Sequence, residues 1–222
     1  MDRFPFIVIE GLDGSGKTTL RKGLYRLLED LYGVTPLAVL TTNWLDPYVA
    51  ADLAEGKYTP TPTNRDRYLA ALAADKRATV EILITPSLPV RPVIADRWLL
   101  SELAFFHVKH GQDPQLTYAE LAAEIDPVPD LTLILDAATS TSMERAASRA
   151  AGDSVREDWD VDHVQTTVRD TYRAITADPA GFPKIGPTLR IDASQSRAAV
   201  LADAWTALLE RGLTPDLAGS PR

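Results

Sequence analysis

The sequence predicts an α/β chain built on a parallel sheet of about five strands, with helices on both faces. Three observations predict it. Short, nearly continuous apolar runs, as at 6–9 and 131–135, read as strands buried on both sides. Stretches with helical periodicity alternate with them. A glycine-rich turn joins the first apolar run to the first helical stretch, which is the strand-turn-helix order of a phosphate-binding unit.

Taken in order, residues 5–10 form the first strand, closed by Glu10-Gly11. Behind the turn, Leu20, Leu24, Leu27, Leu28 and Leu31 repeat at the spacing of one buried helix face, and Gly33 stops that helix. Residues 35–41 predict a second strand, and a proline-punctuated stretch follows with a short helix near 47–55. Asn64 is placed to cap a long helix running to about Thr85, where Pro86 and Pro89 end it. Residues 92–96 are a third strand, finishing on Asp96-Arg97, and Leu99, Leu100, Leu103 and Phe106 mark the next helix. Thr117 with Glu120 predicts a capping box. A fourth strand spans 131–136 and a helix starts at 142–149. A charged segment at 152–162 leads to a helix at about 163–177, a last strand at 188–192 and an amphipathic helix ending near Gly212.

The 222 residues, 45% of them hydrophobic, suit one domain over 1–222 with a flexible tail at 213–222. No cysteine is present, which excludes disulfides, thiolate metal sites and cysteine nucleophiles. A formal charge of −8 argues against a general nucleic-acid or anionic-membrane binder. No apolar run approaches a bilayer span, and Met1-Asp2-Arg3-Phe4 leads straight into the first strand, so a cytoplasmic protein is expected.

Gly11-Leu12-Asp13-Gly14-Ser15-Gly16-Lys17-Thr18 fits G-x-x-x-x-G-K-[ST] at every fixed position. Glycines let successive N–H groups point at phosphate oxygens, Lys17 reaches the outer phosphates, and the Thr18 hydroxyl can hold Mg²⁺. The helix behind adds the positive end of its dipole. A nucleoside triphosphate is the predicted ligand. In open α/β sheets ligands gather beyond the carboxyl ends of the strands, and here those ends carry the loop, Asn43-Trp44, Asp96-Arg97 and Asp136. Alone, Asp96-Arg97 is as readily a structural ion pair; beside the loop it suits phosphoryl transfer, the acid orienting metal waters and the guanidinium forking onto an acceptor phosphate. Asp136 reads as structural. Arg145, Arg149 and Arg156 bracket a glycine- and charge-rich stretch, the pattern of a flap at about 150–160 that closes over a triphosphate and excludes water.

These pieces together resemble the thymidylate kinases among P-loop nucleoside monophosphate kinases. The resemblance is carried by residues 6–19, by Asp96-Arg97-Trp98, by 129–136, by the lid around Arg156 and by 191–196. It implies the three-layer P-loop NTPase fold with a short lid, ATP as donor with Mg²⁺, nucleotide substrates and a homodimer. It implies that Gly11, Asp13, Gly14, Ser15, Gly16, Lys17, Thr18 and Thr19 cradle the phosphates, with Arg145 and Arg149 from the lid and Ser194 and Gln195 beside adenine. Lys17, Asp13, Arg97 and Arg156 would act in catalysis, and Thr18 and Asp96 would serve the metal. Gly14 stands where some relatives carry an arginine, so Arg156 must supply that charge.

The acceptor side departs from the pattern. Thr41-Thr42-Asn43-Trp44 replaces the usual Arg-Glu-Pro-Gly, and Leu72 aligns with the usual base-stacking phenylalanine, with Tyr68 one turn away. Glu102 stands at a position often Asn or Thr, while Phe105 keeps the aromatic three residues on. Arg67, Lys76 and Arg77 are candidates to replace the lost phosphate contact. The expected acceptor is thymidylate, bound by Asn43, Trp44, Tyr68, Leu72, Lys76, Arg97, Glu102 and Phe105. The alternatives are another acceptor (a modified nucleotide, a nucleoside or an alcohol) and a nucleotide-switched ATPase.

Overall fold

A computed structural model describes residues 3–55, 63–138 and 162–215. Five strands form one sheet: β1 (Phe6–Gly11), β2 (Leu37–Leu40), β3 (Val93–Asp96), β4 (Leu131–Asp136) and β5 (Thr188–Asp192). Their order is β2-β3-β1-β4-β5 and every pairing is parallel, so β1 lies at the centre and chain order reverses beside it. Register aligns Ile9 with Asp96 and with Leu133, which brings the ends of β1, β3 and β4 to one edge. The expected α/β class and five-strand parallel sheet are both found.

The helices are α1 (Lys17–Tyr32), α2 (Pro47–Ala54), α3 (Arg65–Thr79), α4 (Leu99–His110), α5 (Pro114–Ala122), α6 (Asp162–Thr176) and α7 (Arg197–Glu210). Two cores result from strand alternation. Ile7 and Ile9 of β1 face Leu20, Leu24 and Leu28 of α1 and Val200, Ala204 and Leu208 of α7. Phe6 and Val8 face the opposite layer, where Leu69, Leu72, Leu99, Leu103, Phe106 and Val168 pack from α3, α4 and α6. Helices therefore cover both faces of a sheet whose central strand has no exposed residue.

Three local expectations change. The long helix ends close to the expected Thr85, at Ser87, but it is not α-helical throughout: α3 runs into a π-helical turn at Val80–Ile84, where Thr85 N–H donates to Val80 O, and a last turn at Thr85–Ser87. The wide turn sits just before Pro86, whose ring would press on the carbonyl four residues back in a regular helix. Thr117 is not a cap. α5 begins three residues earlier, with Asp113 accepting from Gln115 N–H and Thr117 buried inside the helix. Asn64 holds the N-cap position of α3 without a side-chain cap bond. The helix at 142–149 lies outside the described residues.

Leu24 is fully buried between α1 and the sheet. Leu24→Ala is expected to cost about 2–5 kcal/mol, read as a lower urea midpoint with unchanged slope. An unchanged midpoint would contradict the packing described.

Candidate active site

The loop between β1 and α1 is shaped by backbone constraints before any side chain acts. Gly11 has φ 147°, and a Cβ there would lie 2.8 Å from Leu135 O and from Ser15 Oγ, so only glycine closes the turn. Gly16 is left-handed at φ 102° and accepts from the Thr19 and Leu20 N–H groups at 3.0 Å, which starts α1 directly on the loop. Lys17 is 8% exposed, and its ammonium donates to Gly11 O (3.0 Å) and Leu12 O (2.8 Å). Burial, reinforced by the positive charge of Arg97, lowers its pKa to about 8 despite Asp13, Asp96 and Glu10 nearby.

Two cations converge on one carboxylate oxygen. Asp13 Oδ1 lies 3.7 Å from Lys17 Nζ and accepts from Arg97 Nη2. Burial opposes the Asp13 charge, but Arg97 and then Lys17 outweigh it and hold the carboxyl below its usual range. Arg97 sits just past β3 at φ 70°, a left-handed conformation rare outside glycine. Its Nη1 donates to Ser101 Oγ (3.0 Å) and Tyr172 OH (3.5 Å). Tyr172 stays a neutral phenol because burial, and then Glu10, push its pKa up. Thus the arginine expected to hold the acceptor already touches the phosphate loop.

Asp96 behaves differently from its neighbour, with Oδ2 3.2 Å from Arg21 Nε of α1. Among the described residues no group of three or more acids and histidines can hold a metal by itself. The exposed Thr18 hydroxyl and the Asp96 carboxylate nevertheless fit Mg²⁺, which keeps waters and shares phosphate oxygens rather than filling an all-protein cage. Asp136 pairs with Arg173 at 3.0 Å, consistent with a structural role.

On the donor side, a cavity of about 680 Å³ opens between the loop and α7. Gly14, Ser15, Gly16 and Thr19 line it, with Ala193 and Gln195 opposite. Ser194 is exposed and its N–H is taken by Asp192 at 2.8 Å. Lys22, Arg26 and Arg197 also line this cavity; only their surroundings, not a motif, reveal them. Arg145, Arg149 and Arg156 lie outside the described residues.

The residues expected on the acceptor side are held by α3. Asp75 is 2% exposed and accepts from Asn43 N–H (2.9 Å) and Leu45 N–H (3.2 Å), the two amides flanking Trp44. Trp44 is itself left-handed at φ 46°. Its ring lies 6.4 Å from Tyr68, which lies 6.1 Å from Phe105. These three half-buried rings form one aromatic wall. Asn43 is spent on the protein: its side chain bonds Leu40 and Thr79.

Lys76 is fully buried and donates to Thr41 O and to Glu102 Oε1 (3.1 Å), with its ammonium 4.7 Å from the Trp98 ring. Leu72 is equally buried within the core. The structure therefore makes Leu72 and Lys76 the support behind the wall rather than its surface, because a side chain with no exposed area meets no ligand. Arg77 lies 3.3 Å from Glu124, and Arg67 3.4 Å from Asp52. All three replacement candidates for the missing arginine are thus beside carboxylates. Trp98 is a core residue, 1% exposed.

A phosphate loop between the central strand and its helix, with an arginine from the next strand end on the same carboxylate, defines a P-loop kinase. The comparisons agree. The family model for thymidylate kinase matches residues 9–202, and the chain belongs to the thymidylate kinase family. A "probable thymidylate kinase" of Methanospirillum hungatei is 30% identical over 190 residues, covering 82% of this chain and 86% of that one. A thymidylate kinase of Xanthomonas campestris is 37% identical over 150 residues, 67% of this chain and 62% of that one. In fold, the crystal structure of thymidylate kinase from Ehrlichia chaffeensis superposes with a TM-score of 0.65 at 24% identity, covering 92% of this chain and 98% of that one.

Sequence reasoning missed Asp75, Glu10, Ser101 and Tyr172. The one available signal was Glu10, an acid closing an otherwise apolar buried strand. Asp75→Ala leaves the Asn43 and Leu45 amides without their acceptor. It is expected to cost about 2 kcal/mol in urea unfolding and to shift Trp44 emission to the red. Unchanged stability with unchanged emission would show that Asp75 does not hold this loop.

Proposed function

We propose that this chain transfers the γ-phosphoryl group of ATP to a nucleoside monophosphate, with dTMP as the first acceptor and dTDP as product. The observation that supports it best is the meeting of Lys17 and Arg97 on Asp13, since transfer between two phosphates needs cations shared across the gap. The bond from the γ-phosphorus to the β–γ bridging oxygen breaks, a bond to an acceptor phosphate oxygen forms, and ADP leaves. No covalent enzyme intermediate is required.

Lys17 exchanges its carbonyl partners for phosphate oxygens, and Arg97 holds the acceptor phosphate while Asp13 fixes the guanidinium. Thr18, with Asp96 acting through water, would hold Mg²⁺, which when bound neutralises phosphate charge. Arg156, flanked by Arg145 and Arg149, would supply the charge that Gly14 does not.

One observation favours a second reading, the same donor chemistry with another acceptor. The buried Lys76–Glu102 pair and the inward Leu72 change the support of the acceptor wall. The discriminating assay is ADP release with and without a panel of acceptors. Stimulation by dTMP supports the first reading, and stimulation only by another nucleotide, nucleoside or alcohol supports the second. Acceptor-independent release makes the chain an ATPase. Lys17→Ala is expected to abolish acceptor-dependent release, by about 10³-fold or more; full activity would refute the phosphate-loop role.

Lys17 also sets a pH dependence. Burial puts its pKa at about 8 in the free chain, and a bound triphosphate favours the ammonium, raising it. Binding therefore takes up a proton above about pH 8. ATP affinity by calorimetry is expected to fall between pH 8 and 10, by at most about tenfold per unit. Affinity that stayed level would mean Lys17 is not at the phosphates.

A further inference from the structure

Glu10 lies one residue before the end of β1, inside the protein with no exposed surface, yet no step above uses it. Burial pushes its carboxyl pKa up, as expected for an acid far from water. Such a group is tolerated only if its oxygens are occupied. They are: Oε1 accepts from Trp98 N–H at 2.8 Å and Ser101 N–H at 3.2 Å, and Oε2 accepts from Ser101 Oγ. Tyr172 OH lies 3.4 Å from Oε2. These amides belong to the start of α4, whose own N-cap residue, Trp98, supplies no side-chain cap. A carboxylate from the central strand thus caps a helix more than eighty positions away in the chain, where the helix dipole favours negative charge.

The residue just before that helix is Arg97. Its N–H donates to Ile9 O at 2.9 Å, and the next amide, Trp98, donates to Glu10. Two consecutive residues of β1 therefore hold the two consecutive amides that fix Arg97 in its left-handed conformation. Beyond the backbone, Ser101 Oγ and Tyr172 OH serve both Glu10 and the Arg97 guanidinium. They lie 2.9 Å apart. Tyr172 comes from α6, so three elements meet on this one arginine.

We propose that Glu10 is a positioning residue for Arg97, acting directly on its backbone and through Ser101 and Tyr172 on its guanidinium. The role rests on the phosphoryl-transfer reading, in which Arg97 binds the acceptor phosphate. Glu10 touches neither substrate. It sets where the guanidinium stands relative to Asp13, and so tunes acceptor binding separately from ATP binding.

The test uses the full chain with Glu10→Gln, which keeps the shape and removes the charge, and Tyr172→Phe, which keeps the ring and removes one hydroxyl. The acceptor KM is expected to rise about tenfold in Glu10→Gln and about threefold in Tyr172→Phe, with the ATP KM within twofold of wild type in both. Equal changes in both KM values, or none in either, would overturn the proposal. Amide hydrogen exchange supplies a readout independent of turnover. Trp98 and Ser101 should exchange at least about tenfold faster in Glu10→Gln, with the 11–18 loop unchanged. Unchanged exchange at Trp98 would also overturn it. A wild-type chain that fails with every acceptor refutes the phosphoryl-transfer reading instead, and exchange then decides the clamp alone.

Discussion

Arg97 carries a part-buried positive charge on a left-handed backbone at the end of β3, and much of the surrounding architecture answers those two costs. A non-glycine residue in that region costs about 1–3 kcal/mol and persists only where its surroundings over-determine it. Here the surroundings are Ile9 O, the Glu10 carboxylate, Ser101, Tyr172 and Asp13. They come from β1, the phosphate loop, α4 and α6. The same set fixes the electrostatics: Tyr172, Asp13 and Glu10 keep Arg97 firmly protonated although burial works against its charge.

The end of the neighbouring strand repeats the device. Trp44 is the other described non-glycine residue with positive φ, and the amides on both sides of it bond a buried carboxylate, Asp75. In each case a strained residue at a strand end is held by an acid reaching in from a separate element. Strain of this kind concentrates at functional sites because it fixes a side chain where no relaxed backbone would place it. Arg97 and Trp44 both lie at strand ends that the strand-end rule picks out, alongside the phosphate loop and Asp136. The buried acids explain why these strand-end residues can stay in place.

That division also explains what the amino-acid order revealed. The donor half is local: Gly11 to Thr18 is continuous, its glycines are demanded by contacts such as Leu135 O against Gly11, and the flanking apolar runs identify the strand and helix. The strands β4 and β5 were legible to the residue, because their apolar runs are bounded by acids and turns. The acceptor half is assembled from positions far apart. Asp75 reaches Asn43 across 32 positions, Glu10 reaches Trp98 across 88, and Lys76 reaches Glu102 across 26. No local periodicity records such pairings. The π-helical turn before Pro86 escaped for a different reason: apolar spacing marks a helix but does not record that one of its turns is wider.

The Lys76–Glu102 pair shows how far this acceptor half has been rebuilt. A buried ion pair contributes little net stability, since desolvation cancels much of the attraction, and an apolar pair of similar volume would serve the core as well. Removing one partner alone is costly, so the two residues are constrained to change together. What the pair does specify is direction: Lys76 bonds Thr41 at the end of β2, and Glu102 takes the Thr41 hydroxyl at 2.9 Å from α4. It therefore ties the strand end that precedes Trp44 to the helix that follows Arg97. Under the proposed function, with one guanidinium rather than two facing the acceptor, recognition would depend on holding that guanidinium and the Trp44–Tyr68–Phe105 wall in fixed relation. The buried charges of α3 and α4 do that.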